Sequence, residues 1–169
     1  MNLLKDRSAE SVKPDEDVDP LPSEIMVESL PVPERFVLWA VRRWVDDVRQ
    51  GTRESPHLAD GFAAAQLSDA LPDFLVMMEA IAGGVRRPLE VRCLPCNRVS
   101  PDEAILFDVV RCGQAHDCPS LFRLFSVVLK PAATRIAGIR GYAFAVAMAG
   151  ANFPLMPANW HPAAARMLH

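Results

Sequence analysis

The stretch Ser100-Pro101-Asp102-Glu103-Ala104-Ile105-Leu106-Phe107-Asp108-Val109-Val110-Arg111-Cys112-Gly113 carries its own start and stop signals for a helix. Ser100 is a good N-cap, and Pro101 suits the first helical position, where a missing N–H costs nothing. Glu103 stands where it can reach back to the Ser100 backbone and complete a capping box. Asp102 and Glu103 also place negative charge at the positive end of the helix dipole. Ile105, Leu106, Val109 and Val110 recur at helical spacing as an inward face, and Gly113 ends it. Cys112 continues the line of Ile105 and Val109, so it reads as a small, unreactive core residue.

Toward the C-terminus the same reasoning repeats. A fifth helix starts near Asp117-Cys118-Pro119 and carries Leu121, Phe122, Leu124, Phe125 and Val128. Pro131 separates it from a sixth, over about 132 to 150, in which Ala133, Ala137, Gly141, Ala145 and Ala149 recur every four residues. Such a ridge of small side chains admits a close neighbour. The expected occupant is the third helix, with Phe74 and Met78 as knobs and Ile136, Phe144 and Met148 as flanking core positions. The alternative is a homodimer in which two ridges meet. Arg135 and Arg140 interrupt the apolar run, which excludes a membrane span. Residues 151–169 read as an apolar, Pro-rich wrap, Phe153-Pro154-Leu155-Met156-Pro157 and Trp160 folding back over the core.

Toward the N-terminus, residues 86–92 are the one strand-like run, with no second strand to pair with, and read as an extended connector whose Arg86-Arg87 pair is solvated. Pro72 opens a third helix bearing Leu71, Phe74, Leu75, Met78 and Ile81. Val76 and Met77 widen that stripe until the helix looks central, and Gly83-Gly84 ends it. Ser55-Pro56 caps a second helix with Leu58, Phe62, Ala65 and Leu67 on its buried side. From Pro33 a first helix carries Val37, Val41, Trp44, Val45 and Val48, with Trp39 on its flank and Gly51 as its stop. Arg42, Arg43, Asp46 and Asp47 lie opposite as solvated i,i+4 pairs. The periodicities predict an all-α domain, an irregular bundle of five or six helices over residues 34–150.

With 169 residues, 50% hydrophobic and 23% charged, the chain is long enough for one domain with a real core. That excludes collagen-like, wholly disordered and small disulfide-stapled classes. Residues 1–33 hold three bases against eight acids, a net −5 that leaves the rest of the chain at +2 of the total −3. With Pro14, Pro20, Pro22, Pro31 and Pro33 they predict a disordered acidic tail, in which Ile25-Met26-Val27 is an apolar island able to dock on a partner or on the domain itself. The overall charge excludes a strongly basic nucleic-acid binder. Fifteen of the eighteen bases are Arg, but they are dispersed among acids rather than gathered as a phosphate site. Met1 to Glu10 contain no apolar run, so a cytoplasmic location is expected, with the four cysteines as thiols or metal ligands.

Cys93-Leu94-Pro95-Cys96 is the one motif with a chemistry. A two-residue gap between thiolates is what tetrahedral zinc takes from a tight turn, so Cys93 and Cys96 read as half of a zinc or iron site. Cys118, with His116 or Cys112, would be the other half. The inward-facing position of Cys112, and the helix end that separates it from Cys118, weigh against that set. The same spacing suits a dithiol redox couple, which thioredoxin-like proteins place at a helix N-terminus. Here Ser100 sets that N-terminus four residues beyond Cys96, and no βαβ unit surrounds it. Cys96, in a turn beside Asn97 and Arg98, is expected to be more accessible than Cys112 and to have the more thiolate character.

Arg86-Arg87-Pro88-Leu89, Cys96, Arg98, Ser100, Asp102 and Glu103, preceded by a helix with Val41-Arg42-Arg43, resemble a family of small bacterial helical proteins. These share an Arg-Arg-Pro-Leu stretch, a Cys-rich turn and a Ser/Thr-x-Asp-Glu helix start. The resemblance covers residues 35–110 and implies a layout but no activity; Cys112 and Cys118 lie outside it. No complete catalytic signature accompanies it: Ser120 and Ser126 have no Gly-x-Ser-x-Gly setting, and His57, His116, His161 and His169 are scattered. The expected function is therefore a non-catalytic interaction or regulatory module with a protein partner. A metal-binding protein and a thiol redox protein are the alternatives.

Overall fold

The computed structural model describes residues 25–52 and 55–157. The tail up to residue 24, Trp160 and His161 lie outside them. Among the described residues the helices are α1 (Val32–Arg49), α2 (Pro56–Ala64), α3 (Leu71–Gly84), α4 (Pro101–Gln114), α5 (Cys118–Val128) and α6 (Pro131–Gly150). Short 3-10 turns at Val27–Ser29 and Ser68–Ala70 lead into α1 and α3. No strand forms among the described residues; two isolated bridges, Met26 to Arg98 and Val85 to Leu129, flank the extended connector. The domain is all-α.

The helix starts are local chemistry. Ser55 and Asp117 accept from the backbone N–H three residues on, and Ser100 makes the full capping box with Glu103. Proline occupies the first turn of every one of the six helices, where its missing N–H leaves nothing unsatisfied. α1 begins at Val32, ahead of Pro33, and Ile25-Met26-Val27 docks on the domain: the Val27 N–H donates to the Asn97 carbonyl (3.0 Å) and the Val99 N–H to the Ile25 carbonyl (2.9 Å).

The core is organised around α6, which packs on α3, α4 and α5, rather than around α3. Its small-residue ridge is filled from within the chain. A Cβ on Gly84 of α3 would sit 1.9 Å from the Ala133 Cβ, so glycine is what lets the end of α3 meet the start of α6. At Gly141 the knobs are Met77 and Phe125, both 3.2 Å from where a Cβ would stand, and not Met78. Phe74 meets Phe144 instead, with ring centroids 5.5 Å apart. Phe62 joins both of them and Phe36, which meets Phe153 edge-to-face at 5.6 Å. The apolar C-terminal stretch therefore does wrap the core through Phe153 and the buried Leu155, within the described residues.

Two expectations fail on the direction a side chain faces. Ile136, read as core, is 48% exposed, because α6 turns Ala137 and Gly138 inward beside it. Arg42, read as solvated and paired with Asp46, is 3% exposed and faces α4. Arg43 takes Asp46 and Asp47 as its partners instead, at 3.5 and 3.8 Å. The buried face of α1 thus runs through Val37, Leu38, Val41 and Arg42, while Val48 is left exposed.

Candidate functional site

Three features of this fold bear on function: the turn that holds Cys93 and Cys96, the polar cluster under it, and the outward face of α6. The cluster starts from the capping box. Glu103 cannot reach back to the Ser100 N–H (2.8 Å) without burying its carboxylate, and a buried carboxylate needs a cation or several donors. Arg42 supplies the cation. Its Nε donates to Glu103 Oε1 at 2.7 Å and its Nη2 to Oε2 at 2.9 Å, a bidentate pair. The remaining donors hold the loop: Nη1 donates to the Cys96 carbonyl (2.6 Å) and Nη2 to the Arg98 carbonyl (2.7 Å). The Arg92 N–H donates to Glu103 Oε1 at 3.1 Å. One side chain of α1 therefore fixes both the start of α4 and the backbone of the cysteine turn.

Asp102 does the same for the connector. It takes a bidentate pair from Arg87, at 2.8 and 2.6 Å, and accepts the Glu90 N–H at 2.7 Å. Hydrogen bonding by Arg87 is the main cause that holds its carboxyl below the usual range, with the Glu90 N–H and the Arg87 charge adding to it against burial. The Ser100 hydroxyl donates to the Glu90 carbonyl. Arg86 donates from Nε to the Leu129 carbonyl at 2.7 Å. Both members of the Arg-Arg pair are engaged within the fold rather than simply solvated.

Cys93 and Cys96 bracket a tight turn, closed by the Cys96 N–H donating to the Cys93 carbonyl at 3.1 Å. Cys93 is exposed and Cys96 half-buried. Hydrogen bonding by the Arg98 backbone N–H, then by the Arg92 guanidinium, with the charges of Arg92 and Arg42, holds the Cys96 thiol below its ordinary pKa although burial opposes this. Arg92 is itself paired with Glu90 at 3.2 Å. Cys112 is the opposite case: burial, then the charges of Asp117 and Asp108, push its thiol up. It packs against the core but is half-buried rather than fully enclosed.

The structure does not bring the five expected metal ligands together. Cys93 and Cys96 adjoin the N-terminus of α4, and Cys112 lies near its far end, about 18 Å away along the axis at 1.5 Å per residue. Cys118 is the first residue of α5, and His116, in a left-handed conformation at φ 57°, bonds through Nδ1 to the Tyr142 hydroxyl at 2.9 Å. Among the described residues no group of three or more His, Cys, Asp or Glu stands where it could hold a metal ion.

Two surface grooves lie away from the cysteine turn. One, of about 730 Å³, lies between α4, α5 and the C-terminal wrap, over Arg111, Cys112, Arg123 and Leu124. It is walled by the wrap itself, where the Arg111 Nε donates to the Met156 carbonyl at 2.6 Å and the Met156 N–H to Glu34 at 2.7 Å. The other, of about 740 Å³, runs between α1, α2 and α3 over Trp44, Leu58, Leu71 and Leu75.

On α6, Ala132, Ile136, Ile139, Ala143, Val146 and Gly150 form a stripe on the side away from α3, α4 and α5; Ala143 is half-buried and the others are exposed. Their spacing alternates four and three residues, which sets them in one line along the helix surface, a spacing that a coiled-coil seam also uses. The stripe escaped notice in the sequence because α6 is apolar on its inner side as well, so no contrast marked it. No helix among the described residues is long and apolar enough to cross a membrane. Compared with known proteins, the chain matches no protein-family model, no curated protein and no solved structure.

Proposed function

We propose that this chain is a helical interaction module, and that its outward α6 stripe docks a second copy of itself. The observation that carries the reading is the exposed heptad seam, in which Ile136 and Ile139 leave about half of their surface in water (48% and 54%). Apolar side chains at 3.5-residue spacing are matched by another helix that presents knobs at the same spacing. The order Ala, Ile, Ile, Ala, Val, Gly fits an antiparallel copy. About a two-fold axis near Gly141, Ala132 meets Gly150, Ile136 meets Val146, and Ile139 meets Ala143, so one large apolar pair in each half is flanked by positions where at least one partner is small. Charge favours the same arrangement. Arg140 is turned toward α3 and held by Asp73 at 2.9 Å. A parallel pair would set the two copies of Arg135 opposite each other, whereas the antiparallel pair puts them about 18 Å apart.

Sedimentation of the full chain tests this. A dimer is expected, and Ile139→Glu is expected to give a folded monomer with unchanged far-UV circular dichroism. A parent chain that stays monomeric into the range of hundreds of micromolar overturns self-docking, and so does an Ile139→Glu variant that remains dimeric.

A further inference from the structure

We propose that Cys93 and Cys96 are a dithiol that reduces small hydroperoxides, Cys96 attacking the peroxide and Cys93 closing a disulfide across the turn. The turn supplies the geometry. Its hydrogen bond from the Cys96 N–H to the Cys93 carbonyl, 3.1 Å, makes the two cysteines the first and fourth residues of a β-turn. Such residues have Cα atoms within about 7 Å, overlapping the range of about 4.4–6.8 Å that a disulfide requires. The two sulfurs also differ in the way that the two steps need. Cys96 is half-buried in a backbone that Arg42 holds through the Cys96 and Arg98 carbonyls, where hydrogen bonding by the Arg98 N–H and Arg92 favours the thiolate, and Cys93 is exposed, free to swing onto it.

The chemistry balances on these atoms. The Cys96 thiolate attacks the distal oxygen of ROOH; the O–O bond breaks, RO⁻ leaves and takes a proton from water, and Cys96 becomes a sulfenic acid. The Cys93 thiol loses its proton to solvent and attacks the Cys96 sulfur. The S–O bond breaks, hydroxide leaves as water after taking a proton, and the S–S bond forms. Two thiols and one hydroperoxide thus give one disulfide, one alcohol and one water. A low-molecular-weight thiol such as glutathione returns the pair to the dithiol by exchange.

The polar cluster keeps the frame still while the sulfurs react. Arg42 grips the Cys96 and Arg98 carbonyls, and Glu103 grips Arg42, so the turn backbone is fixed by groups that do not themselves change. The inference is independent of the α6 surface, because the turn lies at the N-terminal end of α4 and involves no residue of α6.

Reduced full-length protein, treated with one equivalent of hydrogen peroxide at neutral pH and mapped by differential alkylation and mass spectrometry, tests the proposal. The expected result is an intramolecular Cys93–Cys96 disulfide, with Cys96 oxidised about tenfold or more faster than Cys112. Cys93→Ser is expected to stop at a Cys96 sulfenic acid that dimedone traps. Arg92→Met is expected to slow Cys96 oxidation several-fold while leaving the circular dichroism spectrum unchanged. Cys96 reacting no faster than it does in the urea-unfolded chain, or a native protein in which peroxide links Cys96 to anything other than Cys93, overturns the proposal.

Discussion

Replacing Arg42 by Met tests the central structural claim, that one buried ion pair ties α1 to the start of α4. Methionine keeps most of the volume and removes the charge. The Glu103 side chain, 0% exposed, then keeps the Ser100 and Arg92 N–H donors but loses its bidentate cation. Breaking a buried pair from one side costs about 3–5 kcal/mol, because a charge stays behind without compensation. The Cys96 and Arg98 carbonyls also lose a donor each, but they lie in a partly exposed loop where water can replace it, so they add little. We expect a loss of about 4 kcal/mol, a large share of the roughly 5–15 kcal/mol by which a domain is stable.

Glu103→Gln leaves the complementary cation buried and is expected to cost about 3 kcal/mol. The double variant leaves no uncompensated charge, so its cost should fall about 2–3 kcal/mol short of the sum of the singles. Urea unfolding followed by circular dichroism reads all three. It is best done in the Ile139→Glu background, where protomer concentration does not enter the equilibrium. An Arg42→Met loss below about 1 kcal/mol, or singles that simply add, would refute the reasoning, because a pair so enclosed cannot be both uncoupled and dispensable.

Other expectations follow from the same geometry. Gly141→Leu drives a side chain into Met77 and Phe125 and should cost about 1–3 kcal/mol in urea unfolding without changing the sedimentation coefficient; a shift to monomer would mean that the inner ridge, not the outer stripe, is the seam. Ser100→Ala removes the cap and the bond to the Glu90 carbonyl, and should lower stability by about 1 kcal/mol or more; an unchanged urea midpoint contradicts the cap. Asp102 has its folded pKa lowered, so its contribution is complete above the unfolded value of about 3.9 and is lost as pH falls through the folded value. Asp102→Asn should therefore be least stable relative to the parent near neutrality, with the gap closing in acid; a gap independent of pH defeats that assignment.

What the sequence disclosed was local. The caps at Ser55 and Ser100, the proline starts and the connector over 86–92 depend on residues within a turn of one another, and each was readable from spacing. The partners of charged residues were not readable in this way. Arg42 stands next to Arg43, and i,i+4 spacing offers Asp46 and Asp47 to both, so a solvated face was the natural inference. The true partner lies 61 residues on, at a position already explained by helix capping. The missing signal was the cost of burying a capping carboxylate at a helix start that packs on another helix. The cysteines failed for a related reason. Sequence spacing compresses a helix, and the length of α4 carries Cys112 away from the turn that it appeared to approach. The order of thiol character, with Cys96 favoured and Cys112 suppressed, was legible because it depends on immediate neighbours and burial.

α6 shows where periodicity stops being informative. A helix with apolar residues on every side gives no contrast from which to read its rotation, so Ile136 was assigned inward and the outer seam went unseen. The packing supplies the missing contrast. Three sides of α6 are accounted for inside the chain: Gly84 and Met77 of α3, Phe122 and Phe125 of α5, and Gly113 of α4 each meet a small residue of α6 at close range. Small residues on those sides are what a crowded helix needs, and the fourth side instead carries Ile136, Ile139 and Val146, exposed. Phe144 and Met148 are buried in the core, but Ile136, Ile139 and Val146 stand on the side of α6 that no other described helix covers. Their placement there, at coiled-coil spacing and beside an Arg140 already neutralised by Asp73, argues for a surface shaped to receive another helix.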